Sequence, residues 1–457
     1  MKHSNHSQLT TTLLALDSLS IYRGLLEDRV LSRLRDLLIC LDHKSVKNRD
    51  GEFRRVINSY NDFYFELAKS GTISLTDYIV DKLIFDENPF SFKMQTLKIN
   101  DSDTIFENSV SNDLRCLQIV SQLNPTMVKT EITELYKFKD TSFDAIIEGL
   151  PNWVLDGQST SGLDHIKQLK KNFLTNRWDF CIDQLKDFHQ SYGCGLFARY
   201  RAFVWERSDG HGYLKGIDSP DPITLDELID YQNERSRVLE NTLQFLKGFP
   251  ANNVLLYGDR GTGKSSTVKA ILTEYHTQGL RMLEVPKAYL ADFPLIIRQL
   301  KDRTQKFVIF IDDLVFGDNE ENYTSLKAVL EGGLESKTPN ILIYATSNRR
   351  HLVKEYFNER AGLQSNNHDE EVHAGDTMQE KLSLADRFGL NIVFSSPDQK
   401  KYLAIVQGIA ARRNLKIDQE RLQKKALQWA LSYNGRSART AKQFVDWIEG
   451  HDHLKNQ

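Results

Sequence analysis

Cysteine is scarce in this chain of 457 residues: there are four, Cys40, Cys116, Cys181 and Cys194. They form no C-x-x-C pair and no dense framework, which argues against a zinc knuckle, a dithiol redox motif or a disulfide scaffold. Even the nearest two, Cys181 and Cys194, read as buried free thiols of a reducing compartment. Proline (10) and glycine (25) are sparse, so neither a fibrous nor a largely disordered chain is indicated. No apolar run is long enough to cross a bilayer, and the opening MKHSNHSQLTTTLLALDSLS lacks a signal-peptide layout. A soluble cytoplasmic protein without membrane contact is therefore expected. The formal charge of -3 gives no global bias toward nucleic acid.

What is present is ordinary globular composition, 40% apolar and 26% charged, in a length that suits roughly two to four domains. Residues 1–190 read as a mainly helical N-terminal domain. LALDSLSIYRGLLEDRVLSRLRDLLICL, EFRRVINSYNDFYFELAKS and SLTDYIVDKLIFDE repeat apolar positions at spacings of three and four, with shorter segments over Asp103–Cys116 and Met127–Phe138. Nothing there looks catalytic, and the array is expected to dock a protein client. Residues 191–250 read as a connector. GLFARYRAFVWER is a strand candidate, SDGHG a turn into YLKGI, and SPDPITLDELIDYQNERSRVLENTLQFLKG a proline-rich turn followed by a long helix. Thr224 and Glu227 have capping-box spacing.

From 251 to 397 five short apolar runs alternate with helices: NVLLYG, RMLEV, KFVIFID, NILIYATS and GLNIVFS. Continuous apolar strands joined by crossover helices call for a parallel sheet covered on both faces. Residues 398–457 are helical only and predict a three-helix lid. The fold class is thus α/β, preceded by the helical region.

Gly258-Asp259-Arg260-Gly261-Thr262-Gly263-Lys264-Ser265 matches G-x-x-x-x-G-K-[ST] in full, and Ser266 continues it. A strand precedes it and a helix follows, the context a phosphate loop needs. The glycines let backbone amides face an anion, and the helix start adds donors. Lys264 would reach the β- and γ-phosphates of ATP, and the Ser265 hydroxyl would ligate Mg²⁺. VIFIDD then ends a strand in two acids: Asp312 is placed on the Mg²⁺ shell and Asp313 on the attacking water. Asn348, in ATSNRR, would hold that water or touch the γ-phosphate. Arg349 and Arg350 are surface charges or face a neighbouring subunit. In LSLADRFGL, Arg387 would project toward the phosphates of the next subunit, and Arg439, with Arg436 as its rival, would fold over the nucleotide from the last lid helix. His368 and His373, in QSNNHDEEVHAGDTMQEK, lack convergent ligands and read as part of a polar insertion rather than a metal site.

Together these residues resemble the AAA+ superfamily of P-loop ATPases. NNVLLYGDRGTGKSS, EGGLESKTPNILIYATSNRRHL, EKLSLADRFGL and NGRSARTAKQF resemble more closely a bacterial ATP-binding family, domain of unknown function 815, over roughly 195–450. The resemblance implies a five-stranded sheet ordered 5-1-4-3-2, with Gly258–Ser265 as Walker A, Asp312–Asp313 as Walker B, and Asn348 as sensor 1. It implies Arg387 as arginine finger and Arg439 as sensor 2. Glutamate is the commoner second acid; Asp313 is one methylene shorter.

The function expected is an ATPase using ATP/ADP and Mg²⁺ to remodel or load a protein or protein–nucleic-acid partner, with nucleotide-dependent self-association such as a hexamer. One alternative is a nucleotide-gated scaffold with negligible turnover. Another is a DNA-associated loader or translocase, for which Arg412, Arg413, Lys416, Lys424 and Lys425 of the lid are few and interleaved with acids.

Overall fold

A computed structural model describes residues 2–42, 49–95, 103–136, 141–154, 164–301, 303–314, 320–331, 338–348, 385–433 and 435–455. The chain divides into two compact units, Met1–Arg199 and Tyr200–Gln457. Among the described residues no helix is long and apolar enough to cross a membrane. All four cysteines are free, three of them buried.

The first unit is built from helices, including Arg29–Asp42, Arg49–Lys69, Leu75–Phe85 and Asp103–Ser121. Their apolar stripes close on one core, in which Leu34, Tyr60, Leu83, Leu117 and Phe173 are almost wholly buried. The break in the first expected helical stretch is held by a single carboxylate. Asp113 is fully buried and accepts from the backbone N–H groups of Ser20, Ile21 (2.8 Å) and Tyr22 (3.0 Å), and from the Ser20 hydroxyl. A buried carboxylate needs such a set of donors, and here it fixes the turn before the 3-10 segment Arg23–Glu27.

The second unit contains one sheet with strands β1 (Ala202–Ser208), β2 (His211–Gly216), β3 (Val254–Gly258), β4 (Leu280–Glu284), β5 (Lys306–Ile311), β6 (Ile341–Ser347) and β7 (Leu390–Phe394). Its order is β2-β1-β4-β5-β6-β3-β7. Every neighbouring pair is parallel except the β1–β2 hairpin. The sheet therefore has seven strands, not the expected five. The difference is the hairpin: β1 pairs with β4 through Phe203 and Leu283, so residues expected as a connector extend the sheet edge. The remaining five strands run β4-β5-β6-β3-β7 within it. β5 and β6 are buried along nearly their whole length, as strands covered on both faces must be.

Two local expectations over this stretch are corrected. Gly195–Arg199 is a short helix, and the strand begins only at Ala202. Thr224 does not cap the long helix: it precedes a 3-10 turn, Leu225–Glu227, and its hydroxyl meets the Glu227 carboxylate at 3.2 Å. The long helix, Gln232–Leu246, starts after Tyr231, which has a left-handed backbone (φ 58°). There Arg235 donates to the carbonyls of Leu228 and Asp230, satisfying groups the turn leaves open. Three helices, Gln399–Arg412, Gln419–Ser432 and Ala438–Lys455, complete the unit, packing Tyr402, Ala426 and Phe444 together. Asp398 and Asp418 cap the first two.

Candidate nucleotide-binding site

Parallel pairing decides what meets here. β6 lies between β5 and β3, with Ile311 beside Ala345 and Ser347 beside Tyr257. All three strands thus leave the sheet at one edge, and the loops after them converge. Gly258 has φ 129°, and a β-carbon there would lie 2.2 Å from the Phe394 carbonyl. Gly261 has φ 76°, and its β-carbon would press on Ser437 and Arg439. Only glycine allows both the turn and the close approach. Gly263 (φ 95°) then leads into the helix Lys264–Tyr275, so the loop ends at a helix N-terminus.

Lys264 is 6% exposed. Its ammonium donates to the carbonyls of Gly258 (2.9 Å) and Asp259 (2.7 Å) and to Asn348 Oδ1 (3.1 Å). Burial pushes its pKa down to about 8, against the pull of the Asp259, Asp312 and Asp313 carboxylates; the Arg439 charge adds to the downward push. It stays cationic near neutrality, in a loop rich in amide donors, and so suits an anion. Ser265 Oγ donates to Asp312 Oδ1 at 2.6 Å, joining the loop to the acid strand. Thr346 Oγ1 donates to the same oxygen at 2.5 Å.

Asp313 stands out by its backbone, left-handed at φ 49°. Its N–H donates to Thr346 Oγ1 (2.9 Å) and Asp312 Oδ1 (3.1 Å), which holds it in that region. Its side chain turns outward: Oδ1 accepts from Asn348 Nδ2 at 2.7 Å, and Oδ2 lies 3.4 Å from Lys287 Nζ. Asp259 and Arg260 are exposed, and Thr262 is buried with its hydroxyl on the Asp259 carbonyl (2.9 Å). Ser396 N donates to Asp259 (2.8 Å), and bonding by Ser396 holds the carboxyl below its usual range. Ser266 is half-buried on the first turn of the helix.

A cleft of about 850 Å³ opens beside the loop, lined among others by Asp259, Arg260, Gly261, Gln399, Arg436 and Arg439. The Arg439 N–H donates to the Gly261 carbonyl at 3.0 Å, so the last helix starts against the phosphate loop. Arg436 lines the same cleft, with Nη2 3.4 Å from Gln399 Oε1.

Of the residues singled out from sequence, the loop 258–266, Asp312, Asp313, Asn348 and Arg439 come together. Arg387 does not. β7 pairs Leu390 with Val254 and Phe394 with Gly258, so Arg387 precedes the opposite edge of the sheet from the loop. Arg349, Arg350, His368 and His373 lie outside the described residues. Sequence reasoning passed over Thr346, Lys287 and Ser396. Thr346 had a signal, since it sits on β6 two residues before Asn348; Lys287 and Ser396 had none.

The residues present suit Mg²⁺ bound with a nucleotide. Among the described residues no group of three His, Cys, Asp or Glu side chains gathers as a cage. A hydroxyl and a carboxylate at 2.6 Å are instead the sparse hard-oxygen set expected of a cation that keeps most of its water.

A phosphate loop after β3, two acids after β5 with β6 between the two strands, and helices lining the cleft make up a P-loop module of the AAA+ type. Residues 198–452 match the model of a family described as "Protein of unknown function (DUF815)". The chain belongs to that family. It is also similar to a Methanocaldococcus jannaschii protein described as a 26S proteasome regulatory subunit homolog, 27% identical over 222 residues. That match covers 43% of this chain and 58% of the relative, so the chain spans little more than half of that protein's length. Among solved structures it overlaps the Thermotoga maritima RuvB Holliday junction branch migration motor, at 15% identity and a TM-score of 0.31, covering 49% of this chain and 72% of the other. A variant of that motor gives 16%, 0.31, 49% and 72%. Likeness at this level does not bear on function.

Proposed function

We propose that Tyr200–Gln457 binds ATP with Mg²⁺ and hydrolyses it to ADP and phosphate, and that the cycle remodels or loads a protein or protein–nucleic-acid partner. The observation that carries this reading is the junction of loop and acid strand, with Ser265 on Asp312 at 2.6 Å and Lys264 in reach of Asn348 at 3.1 Å. Ser265 and Asp312 would hold Mg²⁺, which when bound supplies charge neutralisation between the phosphates. The amides of 258–265 would bind the phosphates, and Lys264 would exchange its carbonyl partners for them. Asp313 would orient the attacking water and accept its proton, with Asn348 fixing the direction of the carboxylate. Arg439 would close on the nucleotide from the lid. These groups act chiefly by positioning and by charge already in place.

Arg387 has a role here only on a second copy of the chain, since its own edge of the sheet faces away from its own loop. We assign it to the phosphates of a neighbour in a self-assembled form, and assign client docking to the helices of Met1–Arg199. The test is mass in solution and ATP turnover, with ATP and with ADP, for the wild type and Arg387→Ala. ATP-dependent assembly, with turnover reduced at least about a hundredfold in the variant, is expected. A strict monomer with undiminished turnover in Arg387→Ala contradicts the assignment.

A second reading, a nucleotide-gated scaffold with negligible turnover, draws on Asp313: it is short, and both its oxygens already face donors. Tight binding of Mg-ATP with no phosphate release would favour it.

A further inference from the structure

We propose that Lys287 is a positioning residue for the Asp313 carboxylate, and that the β1–β2 hairpin sets its place through Asp292. The inference rests on the reading of Asp313 as the group that orients water. An aspartate here has a short reach, so the plane of its carboxylate matters more than it would for a longer acid. Two donors, one on each oxygen, define that plane: Asn348 Nδ2 on Oδ1 at 2.7 Å and Lys287 Nζ on Oδ2 at 3.4 Å. Asn348 follows β6 directly. Lys287 is on a turn, which must itself be held.

The turn is held at both ends. At its start, Val285 N donates to the Phe310 carbonyl (2.9 Å), continuing the β4–β5 pairing, and Pro286 follows. At its end stands Asp292, a carboxylate only 3% exposed. Its partners come from the hairpin: Trp205 Nε1 donates at 2.8 Å, Arg207 Nε donates at 2.8 Å, and Arg207 Nη2 donates to the other oxygen. Arg207 holds the Asp292 carboxyl below the usual carboxylate range. The Arg207 guanidinium also lies over the Tyr289 ring, at 5.6 Å, within the same turn. Trp205 is fully buried, and a β-carbon on Gly212 of β2 would fall 2.2 Å from its indole. Both strands of the hairpin thus shape the seat of the indole. The extra strands at the sheet edge therefore clamp the turn that carries Lys287.

The Lys287–Asp313 pair is exposed, 42% and 53%. An exposed pair of this kind adds little to stability, so its removal should leave the melting temperature unchanged and turnover as the quantity that moves. Steady-state ATP hydrolysis and melting curves on the full chain test this. Lys287→Ala should lower kcat about tenfold with KM for ATP within about twofold, the signature of lost orientation rather than lost binding. Lys287→Arg should recover most of kcat. Asp292→Asn, with Trp205→Phe as the milder variant if the first folds poorly, should also lower kcat without raising KM. Added to Lys287→Ala, either should cost nothing further, because both act through one ammonium. An unchanged or raised kcat in Lys287→Ala overturns the inference, as does a double variant whose losses multiply. A wild type that releases no phosphate brings down the proposed function and this inference together; an active wild type indifferent to Lys287 brings down the inference alone.

Discussion

Asp113 and Asp312 are both aspartates surrounded by donors, one in each unit of the chain. Asp113 is fully buried, and most of its donors are backbone amides of Ser20, Ile21 and Tyr22, which cannot leave without unfolding the turn. Asp312 lies half-buried at a sheet edge, and its donors include two hydroxyls, Ser265 and Thr346, that can turn away. The first carboxylate is a fastening. The second is held partly by side chains that can rotate.

That contrast can be broken by experiment. The largest effect is expected from Asp113→Ala, which leaves three backbone N–H groups, that of the buried Tyr22 among them, without their carboxylate and should cost about 4 kcal/mol of unfolding free energy. Urea denaturation reads it, and nucleotide affinity of the folded fraction should stay unchanged. A shift in affinity would mean that the units are not separable in this way.

Next comes His189. Its Nδ1 lies 2.9 Å from the Gly193 carbonyl, so Nδ1 carries the proton, and the buried Nε2 has no hydrogen-bond partner among the described residues. Burial pushes its pKa down to about 4 from 6.5. The unfolded chain therefore binds the proton first as pH falls. The stability contribution is intact above pH 6.5 and is lost progressively between 6.5 and 4, by about 3 kcal/mol in total. Denaturation between those limits should show the slope, and His189→Gln should flatten it while the pH dependence of nucleotide binding stays the same.

The smallest effect sharpens the other side. Thr346→Val keeps the shape but removes the hydroxyl between Asp312 and the Asp313 amide, and Asp313 keeps one acceptor. Turnover should fall about tenfold, near 1.4 kcal/mol, with little change in urea midpoint. A large loss of stability with normal turnover would make Thr346 a fastening like Asp113.

Much of this was legible in the sequence where a residue type has few uses. Glycines at 258, 261 and 263 followed by Lys264 and Ser265 announce a phosphate loop, and the apolar runs that became β3–β7 read readily as strands. The lid helices were equally plain, though their caps, Asp398 and Asp418, emerged only with the structure. What stayed hidden depends on long-range pairing. The hairpin's own turn is visible in SDGHG, but its union with β4 is not. GLFARYRAFVWER carries aromatic residues throughout, and nothing local separates its short helix from its strand. The partnership of Trp205 and Arg207 with Asp292 spans more than eighty residues, and no motif marks it. Lys287 is likewise an ordinary surface lysine until the fold brings Asp313 to it.

The proposed ATPase depends above all on the amides of 258–265 and Lys264 forming an anion cradle served by Asp312. Calorimetric titration of Mg-ATP into the wild type and into Lys264→Ala tests it most directly. Saturable binding by the wild type is expected, with binding at least about a hundredfold weaker in the variant. No heat of binding in the wild type, or equal affinity in the two proteins, would contradict it.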